Sequence, residues 1–303
     1  MPFIKAKSSQ ASGWGWMLSM LAFPLLFHYL QDWQTKATLW GITHPRFQIL
    51  NWTHPDLVAP LLIGLALFST LIPLLGFALY GWTLGRRSWQ SMGFKRPLIR
   101  PYLLGFILGG LQLLACLIIP ALLGHLSLER ISQTPALVTL LYLAGFLVQG
   151  LSEEVICRGY LMNGLALRFP TWLAVLANSL IFAAMHLGNP NISSLALVNL
   201  TLAGLTFSLL FAYTENIWFV GAAHSAWNFV QGPVLGIQVS GMSLPYPIWR
   251  TRLESPKLWT GGDFGLEGGL YCLIIEVLAI LILVYLVKAK AQKKVQLEAK
   301  AET

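Results

Sequence analysis

Glu153 and Glu154 stand side by side in Gly150-Leu151-Ser152-Glu153-Glu154-Val155-Ile156-Cys157-Arg158-Gly159, in a chain that otherwise keeps its charges out of its long apolar stretches. Two carboxylates at or near bilayer depth are costly in the ionised form, so they need partners or a chemical task. Groups of matching chemistry lie in two further apolar segments: His186 in Phe182-Ala183-Ala184-Met185-His186, and His224 with Asn228 in His224-Ser225-Ala226-Trp227-Asn228. On a helix Glu154 and Arg158, four apart, share a face and can pair, whereas Glu153 points about 100° away. One carboxylate can thus be neutralised while the other faces a cavity and stays free to move protons. His and Asn both present N–H donors, which a developing oxyanion requires. Each group taken alone has a structural reading, as a buried ion pair holding helices in register or as hydrogen-bonding glue between membrane helices. Two carboxylates, two histidines and an asparagine on three apolar spans make a catalytic set the stronger account.

The elements that must hold these groups are membrane helices. Of the 303 residues, 56% are hydrophobic and 11% charged, against roughly 25% charged in a soluble domain. The composition predicts an all-α polytopic membrane protein. Apolar runs near the ~20 residues that cross a bilayer fall at about 13–31, 57–82, 102–124, 136–158, 171–188, 193–213, 216–234 and 268–287. That gives eight transmembrane helices, with the candidate active-site cavity between spans 4, 5 and 7. No repeat or low-complexity linker interrupts the chain, so 1–303 reads as a single membrane domain, with a motif-bearing core at about 136–234 and a basic tail at 288–303. The first run is followed by His28-Tyr29-Leu30-Gln31-Asp32-Trp33 and not by a small-residue cleavage site, so an uncleaved first helix is expected.

An even number of spans puts both termini on one side. Lys5, Lys7, Arg86, Arg87, Lys95, Arg96, Arg100, Arg168 and the tail lysines from Lys288 to Lys300 share that side, which the basic bias makes cytosolic, in a bacterial-looking plasma-membrane protein. The net charge of +8 is then topology signal and attraction to anionic lipid heads, and needs no nucleic-acid partner. Cys116, Cys157 and Cys272 all lie in apolar runs and read as small core residues. Residues 32–56, with Trp33, Trp40, Phe47 and Trp52, are expected at the headgroup level. Residues 235–267 are expected as a surface loop, with a cap over the outer mouth of the cavity as the alternative.

The three motifs, in this order and on separate spans, resemble those of the CPBP family of intramembrane glutamic endopeptidases, also called ABI or CAAX-protease-like. The resemblance covers about residues 150–230; Cys157 departs from it, standing where the family often has an aromatic residue. It implies that Glu153 and His186 activate a water for attack on a peptide carbonyl. It also implies that His224 and Asn228 stabilise the oxyanion while Glu154 and Arg158 orient the site, with no metal or other cofactor. The expected partners are the bilayer and a membrane protein or a lipidated or peptide substrate, a peptide precursor or membrane protein fitting better than a prenylated one.

Other readings keep the same residues. A non-proteolytic relative would act as a binding or immunity protein, and a carrier would use buried Glu and His as a proton relay. A metal-dependent membrane protease would gather Glu153, His186 and His224 around zinc, although the chain has no His-Glu-x-x-His run. The protease reading makes a geometric demand. At ~1.5 Å per residue, His224 lies about 10 Å and His186 about 20 Å from the cytosolic border. The two depths converge only if the fifth helix starts in the cytosol before Trp172 or the fourth continues well past Arg158. A separation of His186 from Glu153 beyond roughly 8 Å would rule out a shared water.

Overall fold

The computed structural model describes residues 13–301 other than 48, 50–53 and 97, so Lys5, Lys7 and Trp52 lie outside the described residues. In chain order the helices are α1 Gly13–Leu21, α2 Phe23–Thr43, α3 Pro55–Ser69, α4 Leu71–Trp82, α5 Ile99–Ala115, α6 Ile118–Leu122 and α7 Ala136–Glu154. They continue with α8 Asn163–Ala166, α9 Thr171–Ala184, α10 Ser194–Thr214, α11 Ile217–Phe229, α12 Lys257–Thr260 and α13 Leu270–Ala301. Two π-helical turns, Val155–Met162 and Val230–Val234, extend α7 and α11. Four stretches are long and apolar enough to cross a membrane: Pro55–Trp82, Ala136–Ala166, Ser194–Thr214 and Leu270–Lys300. They coincide with the expected spans at 57–82, 136–158, 193–213 and 268–287. Ile99–Ala115 and Thr171–Ala184 are shorter apolar helices. Burial follows the same division: Leu103, Ile107 and Leu111 of α5 and Leu281, Ile282 and Tyr285 of α13 are exposed, while Asn178, Asn199, Ser208 and Ser225 are buried.

Local sequence fixes several ends. Ser193 caps α10 by accepting from Ala196 N at 3.1 Å, and Asn216 caps α11 by accepting from Trp218 N at 3.0 Å. Glu215, at φ 53°, turns the chain between these two helices. Thr70 breaks α3 from α4, and its carbonyl accepts from Ser152 Oγ at 2.9 Å, tying this joint to the residue just before the glutamate doublet. The helix that carries His224 and Asn228 is held by close backbone approach on two sides. A Cβ at Gly109 of α5 would meet Ala223 O at 1.9 Å, and one at Gly150 of α7 would meet Ser225 Oγ at 2.5 Å. Only glycine lets α5, α11 and α7 come this close.

Three expectations are corrected. The chain is helical but not all-α: Leu126–Arg130 (β1) and Trp249–Leu253 (β2) pair antiparallel, with Glu129 opposite Arg250. The alternation of Trp249, Thr251 and Leu253 with two arginines is a period-two pattern, too short to stand out beside the helical runs. Residues 32–43 continue α2 and are helical, so the first helical segment runs past residue 31 to Thr43. Residues 235–267 are only in part a surface loop: Met242, Leu258 and Trp259 are exposed, but both ends of the segment enter the core. Leu235, Ile237, Val239, Phe264 and Leu266 are buried, and the segment is sewn in by Gly241 N to Phe264 O at 2.9 Å and Asn189 Nδ2 to Ser240 O at 3.2 Å. Its apolar side chains had a core to reach.

Contacts gather two of the basic segments, the 86–100 loop and the tail, at the C-terminal end of α10. Lys95 pairs with Glu215 at 2.9 Å, and Lys290 Nζ donates to Tyr213 O at 2.6 Å. Arg87, expected as a loop charge, is instead buried: it donates to Tyr160 O at 2.5 Å and lies over the Tyr160 ring. Burial lowers its pKa from the ordinary arginine value, and the electrostatic influence of Tyr160 and Tyr80 offsets part of that.

Candidate active site

The glutamate doublet ends α7 at the point where the helix widens into a π turn, all eight residues of which, Val155 to Met162, are buried. Such turns insert one extra residue into the helical ladder and frequently accompany functional sites. The fourth span then continues to Ala166, while α9 begins at Thr171, directly before Trp172. With the helix of the doublet continued to Ala166, His186 lies beside the doublet, its Nε2 4.0 Å from Glu153 Oε2. His186 lies just past the end of α9, which stops at Ala184 short of the expected 188.

Glu154 and Arg158 are fully buried and paired, Arg158 Nη1 donating to Glu154 Oε1 at 3.0 Å. Arg158 Nη2 also donates to Gly204 O at 2.9 Å, and the guanidinium lies over the rings of Phe182 and Phe207. The same Glu154 oxygen stands 2.9 Å from His224 Nδ1. Phe207 stacks on the His224 ring at 4.8 Å and 15°, which fixes the ring plane. Both partners of Glu154 share Oε1, and its buried Oε2 has no hydrogen-bond partner; the adjacent guanidinium supplies the counter-charge that a buried carboxylate needs.

Glu153 faces the cavity. Its Oε1 accepts from Gln149 Nε2 at 2.5 Å, while its Oε2 has no hydrogen-bond partner. Two imidazoles flank that free oxygen, His224 Nε2 at 3.8 Å and His186 Nε2 at 4.0 Å. Both gaps are too long for a direct hydrogen bond. The second lies well inside the limit set for a shared water.

The partners of the two Nδ1 atoms sort the histidines. His186 Nδ1 lies 2.8 Å from Phe182 O, and a carbonyl can only accept, so Nδ1 is the donor there and Nε2 is the nitrogen turned toward Glu153. His224 Nδ1 instead meets a carboxylate, and its Nε2 faces a second one, so that ring lies between the two carboxylates of the doublet, one at each ring nitrogen.

Asn228 Nδ2 donates to Gln149 Oε1 at 2.9 Å, so Gln149 links Asn228 to Glu153 through one side-chain amide. The structure therefore brings Glu153, Glu154, Arg158, His186 and His224 into one cluster and joins Asn228 to it through Gln149. Sequence reading missed Gln149, although the signal was present: it precedes Glu153 by four residues, the same spacing that pairs Glu154 with Arg158.

Gln149, Glu153, His186, His224 and Asn228 line a cavity of about 210 Å³ whose walls extend beyond α7, α9 and α11, while Glu154 and Arg158 lie behind it. Gln31 and Gln34 of α2, Pro73 of α4, Asn199 and Phe207 of α10, Ser240 and Met242 of the 235–267 segment and Glu276 of α13 also line it. Cys157 is buried with its Sγ 3.9 Å from Met185 Sδ, and the three cysteines are unpaired. Among the described residues no three or more His, Cys, Asp or Glu side chains are grouped to hold a metal ion.

Residues 135–230 match the family model described as type II CAAX prenyl endopeptidase Rce1-like. No curated protein and no solved structure matches the chain.

Proposed function

We propose that this chain, whose residues 135–230 match the CAAX prenyl endopeptidase family model, is a CAAX-protease-like, glutamate-dependent intramembrane endopeptidase acting on a membrane-associated protein or peptide. One observation carries the reading: Glu153 Oε2 has no hydrogen-bond partner and lies 3.8 and 4.0 Å from two imidazole Nε2 atoms. A water held by this carboxylate and by His186 Nε2 loses a proton to them and attacks the scissile carbonyl carbon. The oxyanion that forms takes N–H donors. His224 supplies one from Nε2 as an imidazolium between Glu153 and Glu154. Asn228 supplies another from the Nδ2 hydrogen not used on Gln149. The abstracted proton passes to the leaving nitrogen, the C–N bond breaks and two shorter peptides leave, with no covalent intermediate. Glu154 and Arg158 touch no substrate in this scheme; they hold the His224 ring.

The proposal includes the expected arrangement in the membrane: one domain of eight spans with both termini cytosolic. The Lys95–Glu215 and Lys290–Tyr213 contacts support it by gathering two of the basic segments at the C-terminal end of α10. Prenyl endopeptidase is the description of the matched family; for this chain the proposed substrate is a peptide precursor or a membrane protein, with no lipid group required.

The test is comparative membrane proteomics of cells carrying the wild-type chain or Glu153→Ala. An uncut precursor should accumulate in the variant. If Glu153→Ala and His186→Ala both insert normally and keep the full phenotype, the chain acts by binding and the hydrolytic reading is wrong.

A further inference from the structure

The cavity wall carries a second pair of carboxylates that the three motifs do not include. Glu267, in the turn Leu266–Gly268, and Glu276, on α13, are both buried and both line the cavity. Glu267 Oε1 accepts from Trp227 Nε1 at 3.3 Å, and its Oε2 accepts from Ser240 N at 2.7 Å and Ser240 Oγ at 2.8 Å. Glu276 Oε1 accepts from Gln112 Nε2 at 3.2 Å and its Oε2 from the Thr206 hydroxyl. All these donors are neutral. Glu154 has Arg158 and His224 as ion-pair partners, whereas Glu267 and Glu276 have no Lys, Arg or His in that role among the described residues.

Asn199 is an independent sign of a ligand. It is 1% exposed and lines the same cavity. Its Nδ2 donates to Glu267 O at 2.8 Å and Gly269 O at 2.9 Å, which fixes the amide and leaves Oδ1 buried with no partner. The wall thus offers two carboxylates without a counter-cation and an unused carbonyl oxygen, all acceptors. Leu200, Ala203, Phe207 and Met242 make the cavity apolar beside them. A guest that satisfies both surfaces has an apolar stem and a cationic tip that donates hydrogen bonds, as lysine and arginine side chains do. A monatomic cation would leave the apolar surface unfilled. Trp227, which touches Glu267, immediately precedes Asn228, so this wall adjoins the proposed reacting centre.

We infer that Asn199, Glu267 and Glu276 form a subsite for a basic side chain, lysine or arginine, close to the scissile bond of a peptide substrate. The inference rests on the endopeptidase reading for its place in catalysis, but the binding of a cationic group can be measured without it. Purified full-length protein in lipid nanodiscs is titrated with n-butylguanidinium and n-butylammonium chloride and with the neutral isostere n-pentanol, at ionic strength held constant with choline chloride, by calorimetry. The wild type should bind the two cations saturably and at least about tenfold more tightly than the neutral probe, and Glu276→Gln should remove most of that preference. Equal binding of charged and neutral probes by the wild type overturns the subsite whether or not any variant folds. Saturation by sodium or potassium chloride that excludes butylguanidinium also overturns it, in favour of an inorganic cation.

The second arm is cleavage of a peptide pool by the wild type. Enrichment of Lys or Arg beside the cut, lost in Glu276→Gln, supports the subsite. Cleavage with no such enrichment overturns the subsite and leaves the endopeptidase reading standing. Cation-selective binding with no cleavage of any peptide does the reverse.

Discussion

His224 Nδ1 stands 2.9 Å from the Glu154 oxygen that also accepts from Arg158, while His224 Nε2 stands 3.8 Å from the free oxygen of Glu153. One imidazole therefore spans the two members of the glutamate doublet. Glu154 is fully buried and ion-paired through Oε1, whereas Glu153 carries no cationic partner at hydrogen-bond distance and lines the cavity.

Separate consequences are expected for the two glutamates. Glu154→Gln leaves the buried Arg158 without its anion, a change that typically costs about 3–5 kcal/mol. That variant should unfold earlier in detergent, and its activity should fall with its stability. Glu153→Gln should abolish cleavage at an unchanged thermal midpoint. Thermal unfolding and peptide cleavage measured together decide this, and equal destabilisation by both substitutions would contradict the division of roles.

Gln149 is expected to matter to rate. Gln149→Leu removes the donor to Glu153 Oε1 and the acceptor for Asn228 Nδ2 together. Cleavage should slow by about tenfold or more, equivalent to roughly 1.4 kcal/mol of transition-state stabilisation, chiefly in kcat. An effect confined to KM would mean that the amide serves substrate binding and not the alignment of the base.

Packing of α11 should tolerate no side chain at Gly109. A Cβ there meets Ala223 O at 1.9 Å, one residue before His224. Gly109→Leu must push the helix away, with an overpacking cost of about 1–3 kcal/mol or more. The expected result is a lower thermal midpoint and loss of cleavage, while Gly110→Leu, where the nearest atom to a built Cβ is Val230 Cγ2 at 3.6 Å, should be mild.

Chelation distinguishes the proposed water-and-carboxylate chemistry from zinc chemistry on the same residues. Activity of the purified protein should persist after dialysis against EDTA and 1,10-phenanthroline. Loss on chelation with recovery on adding zinc would assign Glu153, His186 and His224 as ligands instead.

Much of the site was legible in the chain because helical spacing is a local property. Glu154 and Arg158 pair four residues apart as read, and the i,i+4 rule that found them would also have found Gln149 with Glu153. The apolar runs, the caps at Ser193 and Asn216 and the glycines that allow close helix approach are equally sequence-borne. What the sequence by itself determined was which groups could do chemistry and which helices carry them.

Tertiary structure decided which groups meet. No local rule says that α7 runs through a π turn to Ala166, that His186 lies 4.0 Å from Glu153, or that one His224 ring bridges both glutamates. Segment 235–267 lies too far along the chain from Asn199 and Trp227 for its burial against the cavity to be read from spacing. The choice of Glu267 as the partner of Trp227, Ser240 and Asn199 belongs to the packed core alone. Periodicity reports the face of a single helix, whereas a site made from several helices depends on their relative depth and rotation. Those are set by packing between residues distant in sequence, here by the contact of Gly109 and Gly150 with the backbone of α11.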